Sequence, residues 1–444
     1  MFAFNLFNIN EVTNSFQNID NIIYKCYDSL ILLKDFIKKI SKYICILLIF
    51  YIILYAIFYQ KKLDIEKLLT KKTFEDECKD IKNFMNLSIN NILLDKFIDL
   101  NNYITDNPKI SVVIPVYNGE KYIKSALTSI QNQDLKDIEI IMIDDFSDDN
   151  SVKLIHELMK KEPRIKLYEN KENKGILYTK CFGVYVSKGK YIMLLDEDDI
   201  FGQREAFSTL YKLAEKDDLD ILGFSTMFTE QENILGKYIH HYYESPIIYQ
   251  PNITKLSHDY TYEGKVKRVG DNIWCYLFKT ETLNNSIMQI NSNFLKTKMI
   301  CHEDYLILFL ITRNAKKSRQ IKRIFHIKIT YGKPKLYITK AKSDNKMNLF
   351  CQSYLNYIEF ILMKTNNTIR DKKISSYELD RYFLSRKECQ NNTYVRKRVI
   401  KVCRSFLKNK YIEKYVKEKI LQVFNEQNIK LSKHFLNKIN NNYN

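Results

Sequence analysis

From Lys109 to about Gly223, short apolar runs (ISVVIPV, IEIIMID, IKLYE, YIMLLD, LDILGF) alternate with amphipathic segments of helix length. Strands of a parallel sheet are buried on both faces, so they read as continuous apolar runs and not as alternating ones. The pattern predicts an α/β domain with a mixed, mostly parallel sheet covered by helices. Pro108 marks its start, because the residue before a proline is pushed out of the helical region. Residues 60–107 are charged and Asn-rich, with Leu63, Leu68, Leu69, Ile92, Leu93, Phe97 and Leu100 as scattered apolar positions, and read as a stem. Residues 224–330 are less regular and rich in Tyr and Phe. Residues 336–444 show helical spacing with basic faces.

A different pattern precedes the stem. Tyr43 to Tyr59 reads YICILLIFYIILYAIFY, without a charged side chain. As a helix it would span about 26 Å at the usual rise per residue, close to the thickness of a thin bilayer. Lysines flank both ends and tyrosines stand near both, as suits a headgroup layer. This is the expected transmembrane helix, 43–59, with 1–42 as the segment on the cytosolic side. Cleavage as a signal peptide does not suit a run that about forty mixed residues precede. The flanking charges are nearly balanced, so the positive-inside rule leaves the orientation open.

The composition narrows the function. The 444 residues contain 70 Lys+Arg against 52 Asp+Glu, a net charge of +18, which on its own would suggest a nucleic-acid partner. The excess is local: residues 311–444 hold 32 basic and 9 acidic side chains, whereas residues 1–310 are slightly acidic. The basic field therefore belongs to a C-terminal region, and the chain is not read as a nucleic-acid binder. Nine cysteines without a CxxC pair argue against a disulfide scaffold or a structural zinc site.

In open α/β sheets, ligands bind beyond the carboxyl ends of the strands. The first strand ends in Pro115-Val116-Tyr117-Asn118-Gly119-Glu120, where Tyr117 could lie against a base and Asn-Gly is ordinary turn chemistry. The second ends in Asp144-Asp145, an acidic pair leaving a buried strand, which is costly without partners. A carboxylate there can accept an imide N–H of uracil. The fourth runs into Asp196-Glu197-Asp198-Asp199, a cluster that cannot stay fully ionised without a cation. A divalent ion, Mg²⁺ or Mn²⁺, would satisfy that cluster and the diphosphate of an activated donor together. Further along, Glu303-Asp304 opens the segment CHEDYLILFLI, where acidic residues would also suit a helix N-terminus.

The series SVVIPVYNGEKYI, IIMIDDFSDDNS, NKGILYTKCFG and KGKYIMLLDEDDIF resembles inverting family-2 glycosyltransferases of the GT-A fold. The resemblance covers 109–223 well and 224–332 loosely. It implies a GT-A domain at 108–335, followed by the basic helical region 336–444. It further implies that Pro115, Val116, Tyr117, Asn118, Glu120, Asp144 and Asp145 cradle a nucleoside. Lys174-Gly175 would start a helix beside the diphosphate. Asp196 and Asp198 would form the DxD metal motif, with Asp196 also on the nucleotide sugar. Asp304, with Glu303 beside it, would be the base that takes the acceptor proton. The chain departs from the family pattern at Lys180-Cys181, where an arginine is common, at Phe146, where a small residue is usual, and at Tyr276.

The expected function is thus a membrane-anchored, metal-assisted inverting glycosyltransferase. Its donor would be a nucleotide-diphosphate sugar of the UDP class, and its acceptor a hydroxyl of a glycan, protein or lipid. The alternative is an inactive, membrane-tethered sugar-binding or scaffold protein on the same fold. Asn-x-Ser/Thr sites at Asn86, Asn252, Asn284, Asn366 and Asn391 would fit a luminal head in the ER or Golgi.

Overall fold

A computed structural model describes Phe50, Tyr51, Ile53 and Tyr55 and residues 74–94, 99–230, 233–240, 245–249, 260–262, 265–267, 272–299, 301–330, 344–364, 396–407, 414–426 and 429. The chain divides into two compact units, Met1–Lys71 and Lys72–Asn444. In the first, the four described residues are helical and exposed. The rest of the apolar run Tyr43–Tyr59, like the segment 1–42, lies outside the described residues. Among the described residues, no helix is long and apolar enough to cross a membrane.

The second unit opens with helix α1 (Phe74–Ile89), followed by β1 (Ile110–Val116), α2 (Ile123–Gln131), β2 (Ile138–Asp144), α3 (Ser151–Met159), β3 (Ile165–Glu169), α4 (Ile176–Val186) and β4 (Tyr191–Leu194). The predicted apolar runs are the observed strands. β1 and β2 are buried along their whole length, and β3, at the sheet edge, only in part. After the acidic turn come β5 (Ile200–Phe201), α5 (Ala206–Asp217), β6 (Ile221–Glu230), β7 (Asn233–His240), β8 (Ile248–Tyr249), β9 (Tyr260–Tyr262), β10 (Lys265–Lys267), β11 (Tyr276–Lys279), α6 (Thr280–Ile287), α7 (Ser292–Leu295), α8 (Glu303–Asn314) and β12 (Lys317–Thr330). Three helices follow: α9 (Asp344–Lys364), α10 (Arg396–Leu407) and α11 (Lys414–Glu426).

The main sheet runs β3-β2-β1-β4-β11-β6-β12-β5, with β7 on β6 and β8 on β12. The expectation of a mixed, mostly parallel sheet holds: β3, β2, β1, β4, β6 and β12 run the same way, and β11 and β5 oppose them. β11 enters antiparallel between β4 and β6, and β12 is parallel to β6 but antiparallel to β5 and β8. The physical reason is connectivity: in the first half helices return the chain to the same edge, whereas the second half has hairpins and a long excursion.

Two packing features set the height of the functional groups. Gly183 on α4 lies so close to β1 and β2 that a Cβ would come within 2.3 Å of Val113 Cγ1 and 2.7 Å of Ile143 Cδ1. α4 is thus seated directly on the sheet. On the other side, α9 packs under the start of α8. The His302 ring stands 4.9 Å from that of Tyr354 and 5.8 Å from that of Phe350, and Phe294 lies 4.8 Å from Phe360.

The region 60–107, read as a stem, contains a helix that belongs to the globular body. Ile81 and Met85 of α1 are buried with Ile200, Met227, Ile324, Ile327 and Ile329. Glu77, almost fully buried, accepts hydrogen bonds from Arg323 Nε (3.0 Å), the backbone N–H of Ile324 (2.9 Å) and Gln203 Nε2 (3.1 Å). Breaking a buried ion pair by removing one partner typically costs about 3–5 kcal/mol. We therefore expect Glu77→Ala to lower the unfolding free energy by about 3 kcal/mol in a urea titration, and Glu77→Gln by less. A loss below about 1 kcal/mol for Glu77→Ala would mean that α1 is not tied into the domain.

Candidate active site

β2, β1 and β4 are neighbours running the same way, with Val116 opposite Asp144 and Val113 opposite Leu194. Their carboxyl ends therefore open side by side. Pro115 and Val116 are buried strand residues, and the Val116 carbonyl accepts the Asp145 N–H (2.8 Å). Beyond them the β1 turn is laced to the β2 turn. Asn118, at a left-handed φ of 57°, donates its N–H to Ser147 Oγ (3.0 Å) and accepts the Asp148 N–H (2.9 Å). The Glu120 carboxylate accepts Asn150 Nδ2 (3.0 Å). Asn118 and Glu120 thus spend their side chains on joining the two turns. Tyr117 and Phe146 are left exposed at the mouth, one ring after each strand. Phe146 has φ of 67°, an outlier for a bulky side chain.

The two aspartates after β2 divide their work. Both oxygens of Asp145 are taken: Oδ1 by the Lys174 N–H (2.8 Å) and Asn170 Nδ2 (2.9 Å), Oδ2 by the Gly175 N–H (2.9 Å). Asp145 therefore satisfies donors at the start of α4, where Gly175 adopts φ of 86°. Asp144 Oδ2 accepts the Ser147 N–H (3.0 Å), and its buried Oδ1 has no hydrogen-bond partner. Asp144, not Asp145, presents the open acceptor. Lys174 pairs its ammonium with the exposed Glu172 (2.8 Å).

Asp196, Asp198 and Asp199 each offer a carboxylate oxygen, all within 4.8 Å of one another. Three hard oxygens at that spacing fit Mg²⁺ or Mn²⁺, and the buried Asp199 Oδ1 has no hydrogen-bond partner. The turn leads into β5, which pairs with β12 so that Ile200 faces Ile327 and Phe201 faces His326. One step further in that register Lys328 meets Asp199. Its ammonium lies 3.2 Å from Asp196 Oδ2, 3.3 Å from Asp198 Oδ1 and 3.0 Å from Asp199 Oδ2, and 4.9 Å from the centre of the Trp274 ring. Burial works against its charge, but the three carboxylates hold Lys328 well above the ordinary lysine range. Burial, with Asp199 next to it, pushes Asp198 up to about 6 although Lys328 opposes this. His326, wholly buried, has its Nε2 3.2 Å from Asp199 Oδ2, off the line that a hydrogen bond needs. Both its ring nitrogens and Trp274 Nε1 are buried without hydrogen-bond partners.

The acidic pair opening α8 meets this cluster through one side chain. Lys180, on the face of α4 away from solvent, places its Nζ 2.7 Å from Asp304 Oδ1, 2.9 Å from Glu303 Oε1 and 3.6 Å from Asp196 Oδ1. Burial disfavours its charge, and the carboxylates of Asp304, Glu303 and Asp196 more than offset this. Burial raises the Asp304 carboxyl well above the usual range, Lys180 pulls it down, and Glu303 and Asp196 push it further up. For Asp196, burial is outweighed by Lys180 and Lys328, which hold it low.

The sequence-derived carboxylates thus stand at the carboxyl ends of β1, β2 and β4 and at the start of α8, which Lys180 joins to the β4 turn. Sequence reasoning missed Lys180 and Lys328 as parts of the site and left His326 out. Their signal was period two on β12, where His326 and Lys328 share a face, and the place on α4 where the family has arginine.

The glycosyl transferase family 2 model matches residues 111–274. Over 113 residues the chain is 35% identical to Glycosyltransferase GlyG of Streptococcus pneumoniae, covering 26% of this chain and 37% of that protein. Over 131 residues it is 36% identical to a GalNAc(5)-diNAcBac-PP-undecaprenol beta-1,3-glucosyltransferase of Campylobacter jejuni, covering 29% of this chain and 41% of that protein. The chain thus spans about two fifths of these relatives' lengths. Residues 1–349 of S. aureus TarS, solved in complex with UDP-GlcNAc, superpose with a TM-score of 0.50 at 17% identity, covering 69% of this chain and 82% of that one. That likeness shows the fold, GT-A.

The division of labour after β2 has a direct test. Asp145→Ala strands two backbone donors and one amide and should cost about 3 kcal/mol in urea unfolding. Asp144→Ala, which gives up one hydrogen bond, should cost about 1 kcal/mol. Equal losses would contradict the assignment of Asp145 to the helix start.

Proposed function

We propose that this chain, whose residues 111–274 are a family-2 glycosyltransferase domain, transfers a sugar from a nucleotide-diphosphate donor to an acceptor hydroxyl. The observation that carries this reading is the junction at Lys180, where the acidic pair of α8 and the acidic turn after β4 share one buried ammonium. A donor-binding turn and a proton acceptor are held against each other, as a displacement at an anomeric carbon needs.

The uracil class of base is favoured by the buried, unpartnered oxygen of Asp144, which can accept an imide N–H, and by the exposed ring of Tyr117 on the neighbouring strand's turn. The acceptor oxygen attacks the anomeric carbon from the side opposite the diphosphate, which inverts the configuration. Asp304 takes the hydroxyl proton. The bond between the anomeric carbon and the phosphate oxygen breaks, and the nucleoside diphosphate leaves with the electron pair. Burial makes Asp304 a stronger base than a solvated carboxylate. Lys180 holds its orientation and compensates the charge of the Glu303-Asp304 pair. A divalent ion held by Asp196, Asp198 and Asp199 would neutralise charge on the departing diphosphate. Membrane tethering through Tyr43–Tyr59 is supported by the length and apolarity of that run.

The full chain, purified in detergent, should release UDP from a UDP-sugar in the presence of Mn²⁺, and no release from any common UDP-sugar would count against the donor class. Asp304→Asn keeps an acceptor for Lys180, so the fold should stand while transfer falls about 10²- to 10⁴-fold. UDP affinity should hold. Conversely, Asp144→Asn should weaken UDP binding in calorimetry by about 1–3 kcal/mol. Near-normal turnover in both Asp304→Asn and Glu303→Gln would remove the base from α8.

A further inference from the structure

We propose that Lys328 is a tethered cation that shares the three-carboxylate site with the divalent ion and passes to the donor diphosphate when the ion enters. The inference rests on the nucleotide-sugar reading above and adds a residue and an order of events to it.

The geometry is specific. The Lys328 ammonium is within 3.3 Å of Asp196, Asp198 and Asp199, the same three carboxylates that converge as a ligand set. A dication bound by those carboxylates needs their oxygens at about 2.0–2.1 Å, so it and the ammonium cannot occupy the cluster together. The lysine is fixed in place by β12: the pairing of Ile327 with Ile200 and His326 with Phe201 sets it opposite Asp199, and Trp274 covers it. If an ion displaced it with no donor present, a largely buried ammonium would be left without its counter-charges, which is expensive. A diphosphate supplies the missing negative charge. Metal binding alone is therefore weak, and diphosphate binding has a cation to meet even without metal. His326 and Trp274, whose buried nitrogens lack partners beside the cluster, are further donors toward an anion there.

This makes an unusual prediction for one substitution. Lys328→Met should tighten binding of Mn²⁺ alone by about tenfold, because the competitor is gone. The same substitution should weaken UDP binding measured in EDTA by about tenfold, because the diphosphate loses its cation. Uridine, which has no phosphate, should bind both proteins equally. Lys328→Arg, which keeps the charge, should retain metal-free UDP binding. Simple loss of structure would weaken all three ligands, so the opposite signs for Mn²⁺ and UDP are the signature. Titration calorimetry and Mn²⁺ electron paramagnetic resonance on the full chain read both. If Lys328→Met leaves Mn²⁺ and metal-free UDP affinity unchanged, or moves both the same way while uridine binding holds, the inference is overturned and the donor site stands. If the wild-type protein binds neither uridine nor UDP with or without Mn²⁺, the nucleotide-sugar reading falls and the inference with it. Should Lys328→Met not fold, Lys328→Arg and the wild type decide: absence of metal-free UDP binding in both overturns it.

Discussion

Two ammonium groups, one buried and one partly buried, hold together a concentration of acid that would otherwise repel itself. Lys180 compensates Glu303, Asp304 and part of Asp196; Lys328 compensates the rest of Asp196 with Asp198 and Asp199. Carboxylates this close cannot all ionise unaided, and burial raises the cost of each. The placement of α4, α8 and β12 follows from that need, since one lysine comes from α4 and the other from β12. The closeness of Gly183 to Val113 and Ile143 gives Lys180 its fixed depth. The aromatic packing of His302 on α9 holds the start of α8 in reach of it.

The basic C-terminal region belongs to this scheme more than its charge suggests. α9 buries Tyr354, Tyr357, Ile358, Phe360 and Ile361. Arg398 of α10 reaches back to Asn356 and Glu359 of α9, both at 2.8 Å. The C-terminal region thus supports the start of α8, where Glu303 and Asp304 stand. Among its described residues, Lys397, Lys401 and Arg404 are exposed, whereas Lys417 is buried.

Much of this was legible in the sequence because it is local. β1 and β2 were read with their observed limits, since strands buried on both faces leave unbroken apolar runs. The acidic turn and the α8 pair stood out because carboxylates at the ends of buried elements need a reason. The rest depends on distant partners. Which of Asp144 and Asp145 stays open is decided by donors at Asn170, Lys174 and Gly175, and nothing in the dipeptide reveals it. Lys180 finds Asp304 across 124 residues and Lys328 finds Asp198 across 130, in a chain so rich in lysine that neither stood out. α1 was missed for another reason. Its buried positions Ile81, Phe84 and Met85 carry a weak helical period, with Cys78 and Ile89 packed against their cluster. Ile92 and Leu93, the more conspicuous apolar pair of this segment, are exposed.

The tie between Glu77 and Arg323 has a kinetic consequence. The two residues are 246 positions apart, and the neighbouring bond to the Ile324 N–H spans 247. Contacts of such long range form slowly, because the intervening chain must first be gathered in. On a ribosome α1 emerges early and must wait for β12 to be made before its carboxylate and its apolar stripe are covered. For that interval Ile81, Phe84 and Met85 are uncovered on a nascent chain, a surface of the kind that chaperones guard. The domain can close only after β12 has been made.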